Sequence, residues 1–337
     1  MAVSLSDDLV RFLRLRAQRL ALPPSERIAS VAHVVKELCG IQAQEAPAAA
    51  LAVRGRSVGL VAANVEHARV QERSVVRTWG PRGTLHLLAA EDLNWLLPLL
   101  GPVFIAAGRR RRAELGLDED TCAKGIRIIR DVLAHRGSLT RAELVEQLAI
   151  QGMRIEGQEH REHPLPEVAA YAKLTRRYLK AYGPATPEDQ ATWSGMPMSK
   201  TRAAWQNIAD QLIEVEIAGR PAWMLKTCAA WLDEPPAHAP IVRLLPRFDT
   251  YLLGYQNRDL AVPLQYAKRI NAGGGILHPT LLVDGRAAGT WKSKPQKNHL
   301  DVIVEPFDYL APKVLGGLEA EVADLARFLE VNTKLCN

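Results

Sequence analysis

The chain has 337 residues, 47% of them hydrophobic and 24% charged, and these proportions exclude a largely disordered protein. The length predicts more than one compact unit, because single cores rarely grow beyond about 250 residues. Lys and Arg exceed Asp and Glu by 43 to 37, and the formal charge of +6 favours a polyanionic partner without requiring one. Four scattered cysteines, an acidic N-terminus and no apolar run approaching about 18 residues predict a cytoplasmic protein without a disulfide scaffold or membrane insertion.

The N-terminal third predicts a helix-turn-helix followed by a β-hairpin. Apolar residues recur at helical spacing over residues 7–20, 28–38 and about 44–53. β-like residues over 74–88 then flank the turn Gly80-Pro-Arg-Gly83. Short helices followed by such a hairpin are typical of a winged helix.

The same pattern partly recurs further along the chain. A helix over 121–135 precedes the capping box Thr140-Arg-Ala-Glu143, and a helix over 171–182 precedes Thr186-Pro187, which is a cap followed by a first-turn proline. A helix over 199–215 then leads to strands around Gly219-Arg220 that form a second plausible wing. From about residue 239, strand-like runs, the hairpin turn Asp284-Gly285 and an amphipathic helix over 315–331 indicate a β-rich end.

These elements predict an α+β fold of tandem winged-helix units with a β-rich C-terminal region. The predicted units are 1–117 (first winged helix), 118–170 (second winged helix, shortened), 171–238 (third winged helix) and 239–337 (β-rich domain).

Five sequence phrases, in the same order along the chain, resemble the winged-helix DNA glycosylases of the AlkZ and YcaQ kind. They are Leu38-Cys-Gly-Ile-Gln-Ala-Gln44, Arg77-Thr-Trp-Gly-Pro-Arg-Gly-Thr-Leu-His86, Arg176-Arg-Tyr-Leu-Lys-Ala-Tyr-Gly-Pro-Ala-Thr186, Leu245-Pro-Arg-Phe-Asp-Thr-Tyr-Leu-Leu-Gly254 and Pro279-Thr-Leu-Leu-Val-Asp-Gly-Arg286. The resemblance implies three tandem winged helices clamped around duplex DNA. It also implies hydrolysis of the N-glycosidic bond of alkylated purines, in some members within interstrand crosslinks.

The resemblance also implies which residues carry the reaction. The catalytic motif of the family is Gln-x-Gln or Gln-x-Asp, and Gln42 and Gln44 occupy it here. The chain departs from the family between Gly157 and Tyr171, where a short polar stretch predicts a truncated middle unit.

Two glutamines suit this reaction because an N-alkylated purine already carries positive charge and leaves without a strong acid. What remains is to place a water beside the anomeric carbon and to face the growing cation with negative dipole ends. A glutamine carbonyl accepts a hydrogen bond from water, and its amide can be held by a neighbour. On an ideal helix the two side chains would diverge, so we expect an irregular helix start, which Gly40 permits. No lysine nucleophile and no cofactor are required.

Other residues allow competing interpretations of the site. Gln-Ala-Gln alone is also typical of a polar helix start. Asp249 is the second candidate for activating water, or else a buried carboxylate that accepts hydrogen bonds. His86 is more typical of a buried, hydrogen-bonded histidine than of a catalyst. His160 and His163 lie in a proline-rich stretch without further ligands, so no metal site is predicted.

Clustered arginines predict the contacts to DNA. Arg77 and Arg82 flank the first hairpin beside Trp79, which is expected to lie in the core. The run Arg109, Arg110, Arg111 and Arg112 fits either phosphate contact or a solvated helix face. Arg176 and Arg177 complete the predicted set.

Two functions remain open from the sequence. One is a monofunctional DNA glycosylase, a monomer on double-stranded DNA that needs no protein partner. The other is a non-catalytic DNA-binding or regulatory protein that keeps the scaffold, which the shortened middle unit favours.

Overall fold

The computed structural model describes residues 3–151, 167–234 and 239–336. It begins with strand β1 (Val3–Leu5) and helix α1 (Asp7–Ala17), whose first turn is capped by the side chain of Ser6. The helix ends earlier than predicted, and Arg19 beyond it has a left-handed backbone with φ 59°. Within the described ranges, no helix is both long and apolar enough to cross a membrane.

The first winged helix, residues 31–89, contains the order helix, strand, helix, helix, hairpin. Its elements are α2 (Val31–Glu37), β2 (Ile41–Gln42), α3 (Ala46–Arg54), α4 (Ala62–Val70), β3 (Val75–Trp79) and β4 (Leu85–Ala89). The strands form a sheet in the order β2-β4-β3. The predicted hairpin is confirmed, whereas α4 was not predicted, because few of its residues are buried and its apolar periodicity is weak.

A glycine turn positions strand β2. Gly40 has φ 105°, and a Cβ atom there would lie 2.7 Å from Cδ2 of Leu88, so only glycine fits this turn. The chain therefore leaves α2 and enters the edge of the sheet, where Ile41 pairs with Leu87 and Gln42 pairs with His86. The expectation of an irregular helix start at Gln42 is wrong: Gln42 ends a strand, and α3 begins only at Ala46.

The middle of the chain is helical. Its elements are α5 (Leu93–Ala107), α6 (Arg109–Glu114), α7 (Glu119–Arg136) and α8 (Arg141–Ile150). The predicted capping box at the start of α8 is confirmed, with both Thr140 and Glu143 contributing hydrogen bonds. The predicted truncation over 157–171 falls largely on residues 152–166, which lie outside the described part of the chain.

The third winged helix, residues 167–225, repeats the architecture of the first. Its elements are α9 (Glu167–Tyr182), α10 (Pro187–Ser194), α11 (Met198–Gln206), β5 (Leu212–Ile217) and β6 (Arg220–Leu225). The predicted wing is confirmed, but the predicted helix over 199–215 is wrong beyond Gln206, because residues 212–217 alternate polar and apolar side chains as a strand does.

The N-terminal residues join this third unit. Strand β1 pairs in parallel with β5, and the sheet order is β1-β5-β6. The side chain of Gln18, just after α1, donates a hydrogen bond to the carbonyl of Ala181 in α9, at 2.6 Å. Residues 3–17, which the sequence assigns to the first unit, thus pack with the third one, and the other unit boundaries stay predictions.

The C-terminal region is a five-stranded sheet covered by a helix, as the sequence predicts. The elements from residue 242 onward are β7 (Val242–Leu245), α12 (Thr250–Leu253), α13 (Ala267–Ile270), β8 (Asn271–Gly273), β9 (Ile276–Leu277), β10 (Thr280–Val283), β11 (Arg286–Pro295), β12 (Leu300–Pro306), α14 (Pro312–Leu329) and β13 (Thr333–Cys336). The sheet order is β13-β12-β11-β10-β7.

Buried ion pairs connect the C-terminal region to the first winged helix. Arg54, at the end of α3, donates to Glu321 at 2.9 Å and to Asp324 at 2.7 Å, both on α14. Arg56 donates to both oxygens of Asp249. These contacts bury charges that the isolated units would leave unpaired, so the units hold one another in place.

Candidate active site

The two predicted catalytic glutamines contact each other. Gln42 is 6% exposed at the end of β2, and Gln44 lies exposed in the loop between β2 and α3. The side-chain Nε2 of Gln42 donates a hydrogen bond to Oε1 of Gln44 at 2.6 Å. The pair converges because the strand ends at Gln42 and the chain turns before the helix. This geometry offers a polar acceptor at the protein surface with an orienting amide behind it.

Arg82 lies behind the glutamine pair. It occupies the tight turn between β3 and β4, with a left-handed backbone (φ 59°). Its Nη2 donates to Oε1 of Gln42 at 2.5 Å, and its Nη1 donates to the main-chain carbonyl of Trp193 at 2.8 Å. Burial lowers the pKa of this guanidinium from its usual value. The contact between Arg82 and the carbonyl of Trp193 is one that the sequence could not indicate.

Arg77 holds the backbone of the glutamine loop. Its Nε donates to the carbonyl of Ala43 at 2.8 Å, and its Nη2 donates to the carbonyl of Gln44 at 3.1 Å. Trp79 follows two residues later on the same strand and is 37% exposed, so the prediction that it lies in the core is wrong. Only Val75 of β3 is buried, and the four residues from Val76 to Trp79 are all partly or fully exposed towards the hairpin turn.

His86 is a buried histidine beside the site, as the sequence favours. It is the direct strand partner of Gln42, it is 3% exposed, and its Nδ1 lies 2.9 Å from the carbonyl of Thr84. A Cβ atom at Gly80 would lie 3.0 Å from this side chain, so the glycine leaves room for it. Burial, followed by the positive charge of Arg82, lowers the pKa of His86 to about 3.

The low pKa of His86 predicts a loss of stability in mild acid. The unfolded chain takes up a proton near pH 6.5, whereas the folded site resists protonation down to about pH 3. The stabilisation is fully present above pH 6.5 and falls by about 1.4 kcal/mol per pH unit as the pH drops through this window. We expect His86→Gln to show a smaller decrease in unfolding free energy between pH 7.5 and 5.5 than the wild type, measured by urea unfolding.

A histidine at the surface provides the control for this measurement. The side chain of His33 is 58% exposed, so His33→Gln should keep the pH dependence of the wild type. Equal pH dependence in both variants would contradict the assignment of the acid sensitivity to His86.

Asp249, the second candidate for activating water, is fully engaged inside the protein. It is 1% exposed, and its two oxygens accept hydrogen bonds from Arg56 at 2.7 and 2.9 Å. One of these oxygens also accepts a hydrogen bond from the backbone N–H of Tyr251, at the start of α12. These contacts fit the alternative interpretation of a buried carboxylate that holds structure.

The other predicted DNA contacts divide into exposed and internal arginines. Arg109 and Arg110 lie on α6 with side chains 75% and 92% exposed, each near a glutamate, and Arg111 lies in the same helix. Arg112 donates to the carbonyl of Ile105 at 2.7 Å.

Arg176 and Arg177 donate hydrogen bonds to other side chains of the protein. Arg176 donates to Gln211 at 2.7 Å, and Arg177 donates to both oxygens of Asp92 at 3.0 Å. DNA contact by any of these arginines stays a prediction, but Arg82 and Arg177 have clear roles within the fold.

The histidines considered for a metal site, His160 and His163, lie outside the described residues. Among the residues that are described, no group of three or more His, Cys, Asp or Glu side chains could hold a metal ion.

Comparison with known proteins shows the family to which this chain belongs. The described residues form an α+β architecture of winged helices joined to a β-sheet domain, with a glutamine pair at the first wing. The model of the family described as DNA glycosylase AlkZ-like matches residues 35–168 and 154–328. The chain therefore belongs to the AlkZ-like DNA glycosylase family.

One similar protein and one similar structure agree with this assignment. An interstrand DNA cross-link repair glycosylase from Streptomyces sahachiroi is 28% identical over 358 residues, which covers 93% of this chain and 94% of that protein. The solved structure of Streptomyces sahachiroi DNA glycosylase AlkZ matches with a TM-score of 0.82 at 24% identity, over 99% of this chain and 100% of that one, which shows a common fold.

Proposed function

We propose that this DNA glycosylase hydrolyses the N-glycosidic bond of N7-alkylated purines in double-stranded DNA, with Gln42 and Gln44 positioning the attacking water. The observation that carries the proposal is the 2.6 Å hydrogen bond from Gln42 to the exposed Gln44. An amide oxygen accepts two hydrogen bonds, and Gln42 supplies one of them to Oε1 of Gln44. Among the residues that the structure describes, no other group donates to this oxygen, so its second acceptor position can hold a water molecule.

The two glutamines thereby have different tasks. Gln42 is buried and donates to Gln44, while its own carbonyl accepts from Arg82. It orients its neighbour. Gln44 is exposed, and its oxygen accepts a hydrogen bond from the water so that the water's lone pair faces the anomeric carbon.

The reaction balances without a covalent enzyme intermediate. The bond between the anomeric carbon and the base nitrogen breaks, and its electron pair moves to the base and neutralises the charge introduced by alkylation. The water oxygen bonds to the sugar carbon and its proton passes to solvent, which leaves a free base and an abasic site. The dipole of the Gln44 carbonyl faces the cationic sugar and stabilises it during this step.

We extend the proposal to interstrand crosslinks joined through purine N7. The relative from Streptomyces sahachiroi is named as a cross-link repair glycosylase, and it aligns with nearly the whole chain. The exposed position of Gln44 supports this extension, because a base joined to the opposite strand cannot be withdrawn into a closed pocket.

Base release from alkylated DNA tests the proposal. We expect wild-type protein to release 7-methylguanine from a methylated duplex and to leave abasic sites, whereas Gln42→Ala with Gln44→Ala should release it at least about 10²-fold more slowly. Borohydride should trap no protein–DNA adduct, because no lysine attacks the sugar. A duplex with an N7–N7 crosslink is assayed in parallel. Wild-type protein that binds these duplexes and releases no base would instead support a non-catalytic DNA-binding protein.

The same proposal includes a monomer that acts on duplex DNA in the cytoplasm without a protein partner. Several DNA-binding units in one chain can span a site without a second copy. Sedimentation of the protein with and without a short duplex measures this stoichiometry directly, and a complex with two protein chains per lesion would contradict it.

A further inference from the structure

Arg82 connects the glutamine pair to the third winged helix. One arm of its guanidinium binds the side-chain oxygen of Gln42, and the other binds the carbonyl of Trp193, 111 residues away in sequence. Trp193 lies near the end of α10, where helix carbonyls lack partners within the helix and a positive charge is favourable. The arginine therefore has one strong partner on each side of the junction between the two units.

The guanidinium also determines which way the Gln42 amide points. A guanidinium has donors alone, so the atom of Gln42 that faces Arg82 must be the oxygen. The amide nitrogen of Gln42 then faces Gln44, and it can contact an oxygen there but not a second amide nitrogen. Each hydrogen bond requires a donor to meet an acceptor. The direction of the whole series of hydrogen bonds from Arg82 to Gln44 is therefore set at Arg82.

Without Arg82, nothing in this chain of contacts would keep the Gln42 amide in that orientation. If the amide turned by half a rotation, its oxygen would face Oε1 of Gln44, and Gln44 would have to turn as well. Gln44 would then present its nitrogen, which is a donor, where the water needs an acceptor. The glutamines would still lie in the site, but the water would lose its acceptor.

The backbone around Arg82 is fixed by close packing against the third winged helix. Gly195, just beyond α10, has φ 78°, and a Cβ atom there would lie 3.1 Å from the Cα of Arg82. No larger residue fits between the two units at this point without a shift. The position of the guanidinium is thus tied to the position of the third unit.

We infer that Arg82 is a positioning residue for base release, which fixes the orientation of the Gln42 amide from a support on the third winged helix. This inference rests on the proposed function. It replaces the expectation that Arg82 contacts DNA phosphate, because both arms of its guanidinium are engaged by the protein.

The test compares Arg82→Met with Arg19→Met in single-turnover base release at saturating enzyme. Arg19 is a matched control, because it has the same backbone φ of 59° and its guanidinium also binds one main-chain carbonyl and one side chain, at Glu26 and Glu37. We expect Arg82→Met to lower the rate about 10- to 100-fold, the loss typical of one charge-assisted hydrogen bond. Its dissociation constant for DNA and its salt dependence should match the wild type, and Arg19→Met should keep the wild-type rate.

A double variant separates positioning from a general structural effect. If Arg82 acts through Gln42, adding Arg82→Met to Gln42→Ala should lower the rate by no more than about twofold further. Losses that multiply fully would overturn the inference. So would a normal rate at saturation combined with weaker, less salt-dependent binding, since that result identifies a phosphate contact. Arg82→Lys, which can reach one partner at a time, should give an intermediate rate and covers the case in which Arg82→Met does not fold.

A spectroscopic measurement keeps the inference testable even if the wild type releases no base. The side-chain NH₂ signals of Gln42 in a ¹⁵N correlation spectrum should shift in Arg82→Met and stay in place in Arg19→Met. Unshifted Gln42 signals would refute the role of Arg82, whereas shifted signals without base release in the wild type would refute the proposed function alone.

Discussion

Gln44→Ala is expected to lower the single-turnover rate of base release about 10²- to 10³-fold, because it removes the acceptor that holds the water. Gln42→Ala should cost less, about tenfold to 10²-fold, since it leaves Gln44 in place but unoriented. The double variant should be no slower than Gln44→Ala by more than about twofold, because the two residues act as one unit. Quenched-flow or manual sampling of released base at saturating enzyme measures all three rates.

A pair of acidic substitutions tests the direction of the hydrogen bond between the glutamines. Gln44→Asp keeps an acceptor for Nε2 of Gln42, so we expect it to retain activity within about tenfold of the wild type. Gln42→Glu has no donor for Gln44 and should be as slow as Gln42→Ala. The opposite order, with Gln42→Glu active and Gln44→Asp inactive, would mean that Gln42 holds the water and Gln44 orients it.

The two glutamines proposed to be catalytic could be singled out from the sequence, but the way in which their side chains converge could not. Strand β2 has two residues, Ile41 and Gln42, and no periodicity can be detected over so short a run. The strand exists because Gly40 turns the chain against the wing, where Gln42 pairs with His86, and that partner lies far along the chain. Tertiary pairing therefore decides the backbone at the site, and local pattern indicated a helix start instead.

The partners of the arginines could not be predicted from the sequence either. Clusters of arginine in the sequence predict contact with DNA, but the groups that these side chains bind inside the protein are distant in sequence and have no local signature. Arg177 binds Asp92, and Arg82 binds Gln42 and Trp193. Arg54 is the last residue of α3 and Arg56 follows just beyond it, and the local sequence gives no sign that both are buried. The wing and the β-rich region were predictable because their turns and alternating strands are local features.

Asp249→Ala is expected to reduce the free energy of unfolding by about 3–5 kcal/mol, because it leaves the charge of Arg56 buried and unpaired. Both side chains of this pair are fully buried, and Arg56 also donates to Gln18 and Thr250, so its guanidinium cannot move to solvent without breaking further hydrogen bonds. Urea unfolding measures this change in free energy. Glu66→Ala is the control, because Glu66 pairs with Arg69 at the surface, where the two side chains are 62% and 41% exposed, and such a loss costs about 0–1 kcal/mol.

The same position also decides between the two candidates for activating water. Asp249→Asn keeps the shape of the side chain and one acceptor oxygen, so part of the protein should stay folded at low temperature. If Asp249 holds structure alone, base release per folded molecule stays close to that of the wild type while stability falls. If Asp249 activates the water, release is lost even in the folded fraction, because an amide cannot take a proton as a carboxylate can. The first outcome is expected, since both carboxylate oxygens are already bound by Arg56.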